Sequence, residues 1–257
     1  MATSRENKKK NKVTGAAPEG AKDQEGAARA VREMFSAIAP RYDLLNHVLS
    51  FNVDRIWWRR TARSFREILG RPGARVLDLC CGTGDMTFAL LHQARRAGAT
   101  PLIAGADFSH AMLQRATIKG QQTGVRWLEA DALRLPLADE CVDLVTAAFG
   151  FRNLADYDAG LAEIYRVLRG EGEAGILDFG EPKGAVGKLY RVYFRQVLPK
   201  VGTVISGVRG PYAYLPVSVA RFPPPEEMVA RMREAGFRQV SWTPYSLGIA
   251  GLYRGKK

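Results

Sequence analysis

The chain has 257 residues, 46% of them apolar, and a formal net charge of +12. That length suffices for one α/β unit with added segments, and the apolar fraction is ordinary for a globular protein. No apolar run can span a bilayer and no signal-peptide core opens the chain, while Cys80, Cys81 and Cys141 form no C-x-x-C pair. This argues against disulfide and zinc scaffolds and predicts a cytoplasmic protein with its cysteines packed as small hydrophobes.

Residues 1–27 are rich in Lys, Glu, Gly, Ala and Asn. They are expected to form a disordered basic tail, with Lys8, Lys9, Lys10 and Lys12 as a short cationic run. From Ala28 the spacing predicts a helix, with Val31, Met34, Phe35 and Ile38 on one face and Pro40 ending it. The Arg41–His47 segment and Phe51 follow, then a second helix over Asp54–Leu69 carrying Trp57 and Trp58. Residues 28–70 are read as a helical cap.

A strand–helix alternation comes next. Strands are predicted at Val76–Cys80, Leu102–Ala106, Val125–Glu129, Val142–Ala147 and Ala174–Phe179. Helices are predicted at Asp85–Ala97, after the N-cap Ser109, and through Leu161, Ile164, Tyr165 and Leu168. Residues 183–222 hold seven Lys or Arg, many aromatics and no Asp or Glu, and are read as an inserted lid. A helix over Glu226–Ala235, stopped by Gly236, leads to strands at Phe237–Thr243 and Leu247–Arg254. The alternation predicts a doubly wound, seven-stranded, mostly parallel sheet made mixed by its last hairpin.

Candidate chemistry lies where strands end. Gly82 and Gly84 let the backbone turn sharply after the first strand and admit a ligand close to it. A dinucleotide fingerprint needs a third glycine three positions on, where this chain has Thr87, so a ligand without a pyrophosphate fits better. Asp107, after the second strand, can accept from both hydroxyls of a ribose; its alternative is capping of the Ser109 helix. Asp131, after the third, can accept from an adenine amine beside the free N–H of Ala132; its alternative is a turn residue.

These positions resemble the S-adenosylmethionine site of class I methyltransferases, a Rossmann-like fold. Four segments carry a closer resemblance to the quinone-biosynthesis C-methyltransferases: Phe35–His47, Gly82–Asp85, Phe149–Asn153 and Leu168–Gly172. The resemblance spans roughly residues 28–256 and implies one methyltransferase domain over 28–257. It implies S-adenosylmethionine held by Gly82, Thr83, Gly84, Asp107, Asp131 and Ala132. It further implies a polyprenyl quinol acceptor: demethylmenaquinol first, the benzoquinol of the ubiquinone pathway second. Ala148 stands where some members carry a serine contact.

Carbon methylation requires an electron-rich ring, excluded water and in-line geometry, with no metal. Arg152 and Asn153, after the fourth strand, are placed on the acceptor side, the guanidinium to lower a phenol's pKa and the amide to bind a quinol oxygen. The alternative for Arg152 is pairing with an acid such as Asp156. Tyr42 and Asp43 are expected to close over the cofactor or orient the quinol, and His47 is a candidate base. The basic, aromatic lid suits an anionic membrane surface, which predicts peripheral contact with the inner face of the membrane. Nucleic acid is not the expected partner, although an RNA-binding protein or RNA methylase on the same sheet is the rival of another class. The assembly is left open, a homodimer included.

Overall fold

The computed structural model describes residues 14–16, 18, 20–43, 50, 52–182, 184, 187, 192–193 and 211–257. The Lys8–Lys12 run, His47, Phe51 and most of the expected lid lie outside the described residues.

Helix α1 spans Gln24–Ile38 and begins four residues before the expected Ala28. Asp23 is the reason: its carboxylate accepts from Gly26 N at 2.7 Å and caps the first turn. The stretch expected to be a disordered tail therefore contributes to the fold. Ahead of α1, Gly15 N donates to Ala155 O and Ala16 N to Leu154 O, at 3.0 and 2.7 Å. A 3-10 turn at Ala39–Arg41 follows, with Pro40 inside it. The second predicted helix is two, α2 (Val53–Ser64) and α3 (Arg66–Leu69), broken at Phe65.

The strands are β1 (Arg75–Leu79), β2 (Leu102–Asp107), β3 (Arg126–Glu129), β4 (Val142–Ala148), β5 (Leu168–Phe179), β6 (Arg238–Tyr245) and β7 (Ala250–Lys256). Between them run α4 (Asp85–Arg96), α5 (His110–Lys119), α6 (Tyr157–Val167), α7 (Pro211–Arg221) and α8 (Pro225–Glu234). The sheet order is β3-β2-β1-β4-β5-β7-β6, with β7 antiparallel to both neighbours and the first five strands parallel. The doubly wound, mostly parallel sheet is as expected.

Strand alternation divides the core into two layers. Leu77, Leu79, Val145 and Ile176 pack with α6 and α8; Val76, Leu144, Leu177 and Leu252 pack with α2, α3 and α4. Two boundaries differ from expectation. β5 begins at Leu168, because Val142 pairs with Leu168 before the register slips and resumes at Leu144 opposite Glu173. Leu247 sits in the hairpin turn, since Ser246, Leu247 and Gly248 all have positive φ (45°, 59° and 91°) and cannot continue a strand. β6 carries Pro244, which an edge strand tolerates.

Candidate active site

The carboxyl ends of β1, β2, β3 and β4 open into one cleft, with about 710 Å³ of empty space, open solvent included. Its wall includes Gly82, Asp107, Asp131 and Ala132 on one side, and Phe149, Asn153 and Leu154 on another, with Phe35 and Tyr42 from the cap. Five parallel strands place these turns at one sheet edge, where such folds bind ligands.

After β1 the chain turns through Cys80 (φ 53°) and Gly82 (φ 55°) to Gly84 (φ 92°), the N-cap of α4. A Cβ on Gly84 would lie 2.7 Å from the Trp127 ring, so that glycine is needed for space as well as φ. A Cβ on Gly82 would meet only Tyr42 Cε1, at 3.7 Å, within 4 Å. A ligand therefore has room against the backbone at Gly82.

Asp107 is 7% exposed. Oδ2 accepts from Gly82 N at 2.9 Å and Oδ1 from Ser109 N at 2.8 Å, so one carboxylate ties the turn to the start of α5. The capping role is the one seen here, and each oxygen retains acceptor capacity beyond its backbone bond. Burial raises its carboxyl pKa from 3.8 to about 6, against the lowering effect of those backbone donors. Asp131 Oδ1 accepts from Leu133 N at 2.9 Å, a turn contact on the cleft wall, and Ala132 beside it is buried.

Thr87 takes no part in a glycine fingerprint. Its hydroxyl donates to buried Asp78 Oδ2 at 2.6 Å, and Thr146 donates to Oδ1 at 2.7 Å. Burial also raises Asp78 to about 6. The threonine that replaces a third glycine locks β1, β4 and α4 together beneath the turn.

Sequence reasoning singled out Asp43 and Thr83 but missed Lys119, Arg32 and Ser36, which help fasten the cap. Asp43 faces the glycine turn: Oδ1 accepts from Thr83 Oγ1 at 2.5 Å. Lys119, at the end of α5, donates to Asp43 Oδ2 at 2.9 Å, Asp85 Oδ1 at 2.8 Å and Thr83 Oγ1 at 3.3 Å. Arg32 donates to Phe108 O at 2.5 Å and Glu129 Oε1 at 2.8 Å, and Ser36 Oγ lies 2.9 Å from Ser109 Oγ. Those partners are 76, 97 and 73 positions away, so no local spacing announces them.

Arg152 and Asn153 separate. The Arg152 guanidinium is buried, donates to Asp178 Oδ1 at 2.9 Å and to Phe149 O, and lies 5.2 Å from the Phe179 ring centroid. Its backbone N donates to Asp178 Oδ2 at 3.0 Å, and Tyr157 Oη donates to Arg152 O at 3.0 Å. The acid that Arg152 pairs with is Asp178 and not Asp156, which caps α6 and accepts from Gln24. Asn153 lines the cleft, and its Oδ1 is buried with no hydrogen-bond partner. Such an orphan acceptor is costly unless a ligand satisfies it.

These features fit S-adenosylmethionine: a glycine turn for close approach, and strand-end carboxylates for ribose and adenine donors. Comparison with known proteins agrees. The model of the ubiE/COQ5 methyltransferase family matches residues 20–257. The demethylmenaquinone methyltransferase of Deinococcus radiodurans is 47% identical over 238 residues, covering 91% of this chain and 95% of that one. The demethylmenaquinone methyltransferase of Thermus thermophilus is 49% identical over 227 residues, covering 87% and 100%. A crystal structure of a SAM-dependent methyltransferase from Aquifex aeolicus shares the fold, with a TM-score of 0.54 at 19% identity over 76% of this chain and 88% of that one. The chain belongs to the ubiE/COQ5 methyltransferase family and is an S-adenosylmethionine-dependent C-methyltransferase.

Proposed function

We propose that this enzyme methylates a ring carbon of a polyprenyl quinol, demethylmenaquinol in the first instance, to give menaquinol. One observation of the cleft carries the reading. Its glycine turn and Asp107 suit a nucleoside, while its other wall is apolar and aromatic with one buried, unsatisfied acceptor, Asn153 Oδ1. The names of the two relatives above support the choice of quinol. S-adenosylmethionine supplies a methyl group on a cationic sulfur.

The remaining work falls to this chain's residues. Asp107, Asp131, Ala132 and the Gly82–Thr83–Gly84 turn hold the donor. Asn153 Oδ1 accepts a hydrogen bond from a quinol hydroxyl, which increases electron density on the ring and fixes its orientation. Arg152 acts through position. Its charge is matched by Asp178, and its bonds to Asp178 and Phe149 O hold the loop that carries Asn153. Tyr42, whose ring packs edge-on to Phe35 at 6.1 Å, covers the turn and excludes water. Peripheral contact with the inner face of the membrane belongs to this reading, because the acceptor's tail dissolves in lipid.

Purified enzyme given methyl-labelled S-adenosylmethionine is expected to label a short-chain demethylmenaquinol and leave bulk tRNA unlabelled. Label confined to RNA would sink the reading. Cells lacking the protein are expected to accumulate demethylmenaquinone; accumulation of an unmethylated benzoquinone instead would move the activity to the ubiquinone branch.

A further inference from the structure

The outer face of α2 and the tip of the β6–β7 hairpin, which meet where Arg60 lies over Tyr245, take no part in the lining of the cleft. On α2 and α3, Arg55, Arg59, Arg60, Arg63 and Arg66 are all exposed, on the side opposite buried Trp57, Trp58 and Thr61. Among the described residues none of these five arginines forms an ion pair, and Glu67 is the one exposed acid within α2 and α3. Amid them Ile56 stands 57% exposed.

The hairpin tip is fastened to this helix. Trp57 Nε1 donates to Ser246 Oγ at 2.9 Å, Thr61 Oγ1 to Tyr245 Oη at 3.4 Å, and the Arg60 guanidinium lies 4.3 Å from the Tyr245 ring centroid. Beyond Ser246 comes Leu247, 76% exposed and held in the left-handed region at φ 59°, ψ 24°. A leucine is doubly unfavourable there: its Cβ strains the backbone, and its side chain meets water. Neither contributes to the fold, and a strained residue kept at a surface points to function.

We propose that Leu247 and Ile56 are apolar tips that enter an anionic lipid surface, with the α2 arginines on its headgroups. Charge complementarity selects that occupant: unpaired cations around isolated apolar points match an anionic leaflet, on which each cation multiplies binding roughly fivefold. The surface also communicates with the cleft. Trp57 packs on Phe149 and Phe179, with ring centroids 5.7 and 6.2 Å away, and Phe149 lines the cleft wall. A lipid-dissolved acceptor would enter beside this contact. In that respect the inference rests on the quinol reading, and it adds α2 and the hairpin to the surfaces that meet the membrane.

The test is flotation of the full chain with vesicles of equal parts phosphatidylcholine and phosphatidylglycerol. Leu247→Gly is the decisive variant, because glycine adopts the left-handed conformation freely. It is expected to raise the Tm while lowering vesicle partition about tenfold. The double variant Arg59→Glu/Arg63→Glu is expected to lower partition at least tenfold and to weaken its salt dependence. Turnover of a water-soluble short-chain quinol is expected to stay at the wild-type level in each. Partition within twofold of wild type for Leu247→Gly, or a lowered Tm with partition intact, would overturn the proposal. Arginine reversals that release bulk tRNA and leave vesicle binding unchanged would overturn it in favour of nucleic acid. If the wild-type enzyme methylates no quinol, the quinol reading fails, and the vesicle result stands or falls separately.

Discussion

Asp107 is held by two backbone donors and still has acceptor sites to give. Its carboxyl is raised to about 6 by burial, so near that pH a ligand-free molecule carries it part-protonated. Ribose hydroxyls donate only to free lone pairs and favour the ionised form, so binding of the cofactor expels the proton. The Kd for S-adenosylmethionine is therefore expected to be flat above about pH 7 and to rise toward tenfold per unit as pH falls below about 6. Asp107→Asn should weaken binding by roughly 1.5–3 kcal/mol and abolish the pH dependence. Calorimetry across that range decides it; a slope that survives in the variant would take Asp107 out of the cofactor contact. The place of Asp107 was legible because a strand-end acid after a glycine-turn strand is a local pattern. The partner of Arg152 was not. Asp178 lies 26 positions away, on the neighbouring strand β5, and only sheet order brings the two together.

Between elements, the cap is latched to the cofactor turn by charge. Lys119 ends α5, Asp43 follows the 3-10 turn after α1, and Asp85 opens α4, so one ammonium joins three segments. Its side chain is 31% exposed, which screens the pairs and keeps the latch near 1 kcal/mol. Lys119→Met is accordingly expected to raise the Kd for the cofactor about three- to tenfold and to speed amide exchange at Ala39–Asp43, while Lys119→Arg retains most of both. Unchanged exchange in Lys119→Met would show the cap to be held by packing alone. The elements themselves were mostly legible, since period-2 and period-3.6 patterns come from burial on the two faces of the sheet. Their ends were less so. The capping bond of Asp23 and the positive φ angles at Ser246–Gly248 are decided by single side chains and by packing on α2, which periodicity does not register.

For the molecule as a whole, two buried carboxyls set an unusual pH profile. Asp78 and Asp107 both ionise at about 6 in the fold against 3.8 ordinarily. The folded state thus binds protons more tightly than the unfolded chain between those values. Their joint contribution is most favourable below about pH 4, declines as pH rises to about 6, and is constant above that. Each amounts to something on the order of 3 kcal/mol. Glu163 runs the other way. Its bond to Arg166 lowers its pKa, so its contribution is present at neutral pH and lost in acid. Thr87 and Thr146 moderate the burden at Asp78 by donating to its carboxylate, which is why a threonine serves where a dinucleotide site has glycine. The ligand-free enzyme is therefore expected to lose Tm between about pH 4 and pH 6, and Asp107→Asn to remove roughly half of that fall. Saturating S-adenosylmethionine is expected to reduce the fall as well, because the cofactor's donors compensate the charge that burial penalises. Thermal melts of the ligand-free protein at successive pH values test this directly. A Tm that climbs steadily through the window would mean that neither aspartate is protonated in the fold.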